Sequence, residues 1–207
     1  MMPRKDFRVR KTMVTVFWDI HGVVYHEYLP QGQTITAASY CNVLDKVQDA
    51  IKDKRPWLLE GGCKVILQQD NAGPHTARLT KAKIRELGWE VLPHPPYSPD
   101  LAPSDFHLFL AMANAQQGTK FANDEAAKRH TDNFLQLKEF DGDGEENFYR
   151  RGIWKLPVRW QQCINANGEY FDVSRKSTLA AIDASSFAST SPTPSTSRQS
   201  LPPASNI

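Results

Sequence analysis

The chain has 207 residues, 40% of them hydrophobic, with 25 Lys and Arg against 23 Asp and Glu. That length accommodates one ordinary α/β core. A net charge of +2 does not argue for nucleic acid, because phosphate binding follows clustered cations rather than totals. Cys41, Cys63 and Cys163 form no C-x-x-C pair, which fits a reducing compartment and excludes a zinc ribbon. No run of eighteen apolar residues is present, so no membrane span is expected, and the basic start Met1–Lys11 lacks the apolar stretch of a secretory signal.

In chain order, Met13–Trp18 is β-branched and aromatic and reads as a strand. Asp19–Gly22 is a turn and Val23–Leu29 a second strand, giving an antiparallel hairpin. Thr36 is a candidate N-cap for a helix in which Tyr40, Val43, Leu44, Val47, Ala50 and Ile51 fall on one stripe. Lys64–Leu67 is a short strand leading to Asp70. His75 to Leu87 reads as one helix with Gly88 as its stop, and Trp89–Leu92 as another strand. Prolines at 93, 95, 96, 99 and 103 hold the next segment extended and stiff. Pro103 and Ser104 start a helix at Asp105, and further helices are expected near 122–138 and 145–165. From Ser174 to Ile207 the chain holds ten Ser, four Thr and four Pro with one aromatic, Phe187. Such a tail cannot bury enough apolar surface to offset chain entropy, so residues 173–207 are expected to be disordered, a passive linker rather than a partner-binding tail. The expected organisation is a basic segment 1–11, a folded unit 12–172 and the tail. Its element order suits a mixed sheet with helices on both faces.

Two words carry the chemistry. Val65-Ile-Leu-Gln-Gln-Asp70-Asn-Ala-Gly-Pro-His75 places a carboxylate at the end of an apolar strand, where ligands gather in α/β sheets. Tyr97-Ser-Pro-Asp-Leu-Ala-Pro-Ser-Asp105-Phe-His-Leu-Phe109 places another at a helix start, where the dipole favours negative charge. Helical spacing puts Asp105 on one face with Leu108, Phe109 and Met112, so the carboxylate is expected to point inward. Either Asp alone is an ordinary turn or first-turn residue. Together, with 34 residues between them, they are what an oxygen-seeking Mg²⁺ or Mn²⁺ requires.

These words, with Trp89-Glu-Val-Leu-Pro-His94, Gly152-Ile-x-Lys-Leu-Pro157, Trp160-Gln-x-Cys-Ile164 and Asn167-Gly-x-Tyr-Phe171, resemble the catalytic domain of the mariner family of DNA transposases over about residues 11 to 172. The resemblance implies a ribonuclease-H-like fold of the DDE/D superfamily. It implies metal-dependent cleavage of DNA at transposon ends followed by strand transfer, a homodimer acting on DNA, and hence a nuclear location. It makes Asp70 and Asp105 the second and third catalytic and metal-binding carboxylates. The family's first carboxylate lies on a central strand in an Asp-Glu-x-Trp word. Met1–Lys11 contains no such word, and Asp6 is no substitute for it. Nor does a helix-turn-helix region precede the domain. The expectation is a fragment lacking its first central strand, prone to aggregate and inactive by itself. The alternative is a co-opted, non-catalytic DNA-binding or dimerisation module. Gly73, where the family favours Arg or another larger residue, and the unusual stretch after Gln116–Phe121 are smaller departures.

Other features rank below these. Asp19 is expected to make local hydrogen bonds in its turn rather than hold metal. His75, His94 and His107 lack the spacing of a zinc site and are expected to be positional or substrate-contacting at most. Phe148, Tyr149, Trp154 and Trp160 are expected in the core rather than stacked on bases. Lys120, Lys128, Arg129, Arg150, Arg151 and Lys155 suit a solvated helix face as well as phosphate contacts.

Overall fold

The computed structural model describes residues 12–60, 64–142 and 147–168; the N-terminal basic segment and the Ser/Thr/Pro-rich tail lie outside them. β1 (Val14–Asp19) and β2 (Gly22–Tyr28) pair antiparallel, with Val14 opposite Tyr28 and a bulge between Phe17 and Trp18. Gly22 closes the hairpin at φ 125°, a backbone region open to glycine and costly for other residues. α1 (Ala37–Lys54) begins at a reciprocal cap, in which the Thr36 hydroxyl accepts from the Ser39 N–H and the Ser39 hydroxyl from the Thr36 N–H. Its predicted stripe is buried, from Tyr40 to Ile51.

β3 (Ile66–Leu67) and β4 (Glu90–Val91) form a parallel pair two residues long. Parallel and antiparallel pairings are therefore both present, but as two separate two-stranded sheets, with no strand joining them among the described residues.

The helix expected over His75–Leu87 is two helices. α2 (Gly73–Thr76) and α3 (Arg78–Glu86) are divided at Ala77, which is extended at ψ 149°. The physical reason is a side chain: the Thr80 hydroxyl donates to the Pro74 carbonyl at 2.6 Å, taking the acceptor that a continuous helix would use. The proline-rich segment is not wholly extended either, since Pro99–Leu101 makes a 3₁₀ turn. Pro103 and Ser104 lead into a π-helical stretch, Ser104–Phe109, continuous with α4 (Leu110–Gln116). α5 (Asp124–Glu139) is capped by the Asn123 side chain and α6 (Phe148–Asn165) by Asn147. No described helix is long and apolar enough to cross a membrane.

Two apolar clusters hold these elements. In the first, α1 packs Tyr40, Val43, Leu44, Val47 and Ile51 against Val24, Leu67, Ile84 and Trp89. In the second, Val23 meets Leu108, Phe134, Leu135, Phe148 and Tyr149. Adjacent residues of β2 thus enter different clusters, as the alternation of a strand dictates.

Candidate metal-binding carboxylate site

Asp70 stands three residues past β3. Its Oδ1 accepts from the Ala72 N–H at 3.0 Å, a local turn, and from Nδ1 of His75 at 2.6 Å. His75 lies against Tyr40, ring centroids 4.3 Å apart, and Tyr40 donates to Oε1 of Gln69 at 2.8 Å. Burial acts to raise the Asp70 carboxyl. The bonds from Ala72 and His75 and the charges of His75 and His94 outweigh it, so Asp70 is held below the usual carboxylate range.

Asp105 behaves in the opposite way. It sits in the first turn of the π-helical stretch, and its backbone N–H donates to the Ala102 carbonyl at 2.9 Å. Among the described residues no donor reaches its carboxylate. Burial and then the negative charge of Asp70 raise it above the usual range, against the pull of His94. The charge of Asp70 therefore acts on Asp105, and His94 acts on both.

The expected inward direction of Asp105 is corrected. Leu108 is fully buried and Met112 half-buried, but Asp105 stands at the surface with its carboxyl only partly shielded from water. The wider π turn, bonded i to i+5, removes the three-and-four-residue stacking on which that expectation rested.

The donor set suits a hard divalent cation: two carboxylates of like charge, one with no donor among the described residues. The set is incomplete for a fully protein-held ion, since no group of three or more His, Cys, Asp or Glu converges among the described residues.

Side chains from several elements frame the pair. Gln68 Nε2 donates to the Leu101 carbonyl and Asn71 Nδ2 to the His94 carbonyl, both at 2.8 Å. Trp18 on β1 donates to the Ser104 hydroxyl at 3.0 Å. From α6, the Arg159 guanidinium lies 4.0 Å from the centroid of the Phe106 ring and donates to the Asp100 carbonyl at 3.0 Å. Sequence reasoning did not single out Gln68, Asn71 or Arg159. A pair of glutamines closing an apolar strand was the available signal.

The other candidates are placed elsewhere. Asp19 accepts from Arg55 Nε at 2.9 Å and from the His21 N–H at 2.8 Å, a local role at the hairpin. Nε2 of His107 donates to the Phe148 carbonyl at 2.8 Å. Burial lowers the His107 pKa, that hydrogen bond opposing, so the ring is neutral and structural. Phe148 and Tyr149 are buried as expected, but Trp154 and Trp160 are not core: they are 55% and 37% exposed. Trp154 lies under the Arg150 guanidinium at 5.1 Å, a surface contact. Lys128 is tied to Asp124 and Glu125 at 3.0 Å, as a solvated face would have it.

Comparison with known proteins gives the same picture. A protein-family model described as "Transposase (partial DDE domain)" matches residues 1–60. The mariner Mos1 transposase of Drosophila mauritiana is 42% identical over 163 residues, which is 79% of this chain and 46% of that protein. The human histone-lysine N-methyltransferase SETMAR is 38% identical over 170 residues, 82% of this chain and 24% of that protein. The chain thus spans less than half the length of these curated relatives. The crystal structure of the Mos1 catalytic domain superposes with a TM-score of 0.72 at 43% identity, covering 79% of this chain and 77% of that one. Other Mos1 structures hold this domain with raltegravir and Mg or Mn, or the transposase in paired-end complexes with Mn or Mg. The likeness extends to the ribonuclease-H-like fold. On 43% identity across most of a solved catalytic domain, this chain belongs to the mariner transposase family and carries its catalytic-domain portion.

Proposed function

We propose that this chain is the carboxylate-bearing part of a mariner-type DNA-cutting and DNA-joining centre, with Asp70 and Asp105 as two of its metal ligands. The observation that carries the reading is geometric: Asp70 follows a strand end and Asp105 opens a helix start, and the Gln68 amide ties these two segments through the Leu101 carbonyl at 2.8 Å. The relatives solved with Mg or Mn support a divalent cation, and the paired-end complexes support DNA ends as the substrate. A divalent ion at such a pair would neutralise phosphate charge and activate the attacking oxygen. The chain's own residues do the rest. Asp70, ionised at neutral pH and oriented by His75 and the Ala72 N–H, presents a fixed carboxylate. Asp105 presents one that no donor among the described residues satisfies, so it has most to gain from a cation.

The reading assigns two carboxylates where the family uses three, so the 207-residue chain tested alone is expected to leave DNA uncut. Full activity requires a third carboxylate, a DNA-recognition region and a second protomer, acting in the nucleus. The test is incubation of the chain with duplex DNA carrying mariner ends, in Mg²⁺ and in Mn²⁺. No cleavage is expected; cleavage that Asp70→Asn or Asp105→Asn abolishes would overturn the claim of inactivity and keep the site.

A second reading has one observation in its favour. A protein named for lysine methylation contains a stretch 38% identical to this chain in 24% of its length, so a mariner portion occurs in proteins named for another activity. On that reading the chain is a non-catalytic DNA-binding or dimerisation module. A salt-dependent shift of DNA that persists in Asp70→Ala would favour it.

A further inference from the structure

The last β3–β4 hydrogen bond runs from the Leu92 N–H to the Leu67 carbonyl at 2.8 Å, three residues short of Asp70, so among the described residues the ladder does not fix Asp70 relative to Asp105. Two amide side chains flanking Asp70 do instead. Gln68, half-buried, donates to the carbonyl of Leu101 at 2.8 Å. Leu101 is 4% exposed and ends the 3₁₀ turn. The very next carbonyl, that of Ala102, accepts the N–H groups of Asp105 at 2.9 Å and Phe106 at 3.0 Å. A single amide therefore ties the strand end that carries Asp70 to the peptide from which the Asp105 turn starts. On the other side of Asp70, Asn71 grips the backbone of His94, whose charge acts on both carboxylates.

We propose that Gln68 is a positioning residue for the carboxylate pair. Its amide sets where the Asp105 turn begins relative to Asp70, and so sets the affinity of the pair for a divalent cation. Small ions such as Mg²⁺ demand near-ideal ligand geometry, so a relaxed tether costs affinity without removing a ligand. Partners that orient ligands are typically worth 10–100-fold in metal affinity. The inference rests on reading Asp70 and Asp105 as metal-holding carboxylates.

The test uses the full chain in four forms: parent, Gln68→Met, Gln68→Asn, and Ile51→Val as a mild destabiliser in α1, remote from the pair. Met keeps the length and loses the donor; Asn keeps the amide and is one methylene too short to reach Leu101. Mn²⁺ affinity is read by electron paramagnetic resonance of the free ion. Hydrogen exchange at the Asp105 and Phe106 amides is read by NMR without metal. Both Gln68 variants are expected to bind Mn²⁺ about 10–100-fold more weakly and to exchange faster at these two amides, with Ile51→Val near parental in both. Parental Mn²⁺ affinity in Gln68→Met overturns the proposal. If the parent itself binds no Mn²⁺, the metal reading fails and the exchange data decide the tether: faster exchange keeps it, and unchanged exchange overturns it.

Discussion

The two apolar clusters of this fold are built differently, and each includes an element that leads to one carboxylate of the candidate site. The first is a capped, 18-residue amphipathic helix laid over strands, and it presents Asp70 at a strand end. The second is mostly helix on helix, fixed by rings and by one glycine contact, and it presents Asp105 on a π turn. The same difference marks the carboxylates. Asp70 is locked by donors and held low, whereas Asp105 has no donor among the described residues and is pushed up. One side of the site is oriented before a cation arrives; the other is poised to be satisfied by one.

The strongest way to break the comparison is to empty each cluster in turn. Leu44 and Leu108 are both 0% exposed. Leu44→Ala and Leu108→Ala should each destabilise the fold by about 2–5 kcal/mol in urea unfolding. If the clusters form one cooperative unit, each variant shows a single transition. Two transitions in Leu108→Ala would show instead that the helical cluster opens separately.

Next in size is the glycine contact. A Cβ at Gly152 would overlap Cδ2 of His107, whose ring also stacks on Phe148 at 4.2 Å. Gly152→Ala should cost about 1–3 kcal/mol. In a double-mutant cycle with His107→Ala the two costs should be less than additive, because removing the ring removes the clash. Additive costs would mean that the close approach is absent in solution.

Asp19 gives a comparable effect of a different kind. Asp19→Ala leaves the guanidinium of Arg55, itself only 13% exposed, without its carboxylate, and should cost about 1–3 kcal/mol. Mn²⁺ affinity should not change. Loss of Mn²⁺ binding in that variant would make Asp19 a ligand after all.

The smallest effect is the most diagnostic, because its sign differs between the carboxylates. The folded pKa of Asp70 is depressed, so its stabilisation is present above its unfolded pKa and fades as pH falls through the folded one. The folded pKa of Asp105 is raised, so its contribution is fully present only below the unfolded pKa and is lost as pH rises through the folded one. At neutral pH without metal, Asp70→Asn should therefore lower Tm and Asp105→Asn should raise it. Metal affinity should fall on acidification first through protonation of Asp105, while Asp70 stays ionised. Thermal melts at neutral and acid pH and Mn²⁺ titrations over the same range check both signs.

Much of the first cluster was legible in the residues. The α1 stripe, its Thr36 cap and the hairpin follow from side-chain periods and turn chemistry, which are local. Two helix interruptions, one beside each cluster, were less so. The break at Ala77 depends on the Thr80 hydroxyl reaching back to Pro74, and the π turn at Asp105 defeats a rule built on α-helical spacing. Trp154 and Trp160 fit a core stripe by pattern yet stand exposed, because nothing among the described residues covers that face of α6. At the site, the identity of the two carboxylates came from long words shared with a family. The cross-links that place them, from Gln68, Asn71 and Arg159, span 33, 23 and 59 residues and leave no local pattern to read.

The central claim is that Asp70 and Asp105 together hold a divalent cation. Its most direct test is a Mn²⁺ titration of the chain followed by electron paramagnetic resonance, repeated for Asp70→Asn and Asp105→Asn. The account predicts one saturable class of binding in the parent, lost in each variant. Binding that survives either substitution unchanged would contradict it.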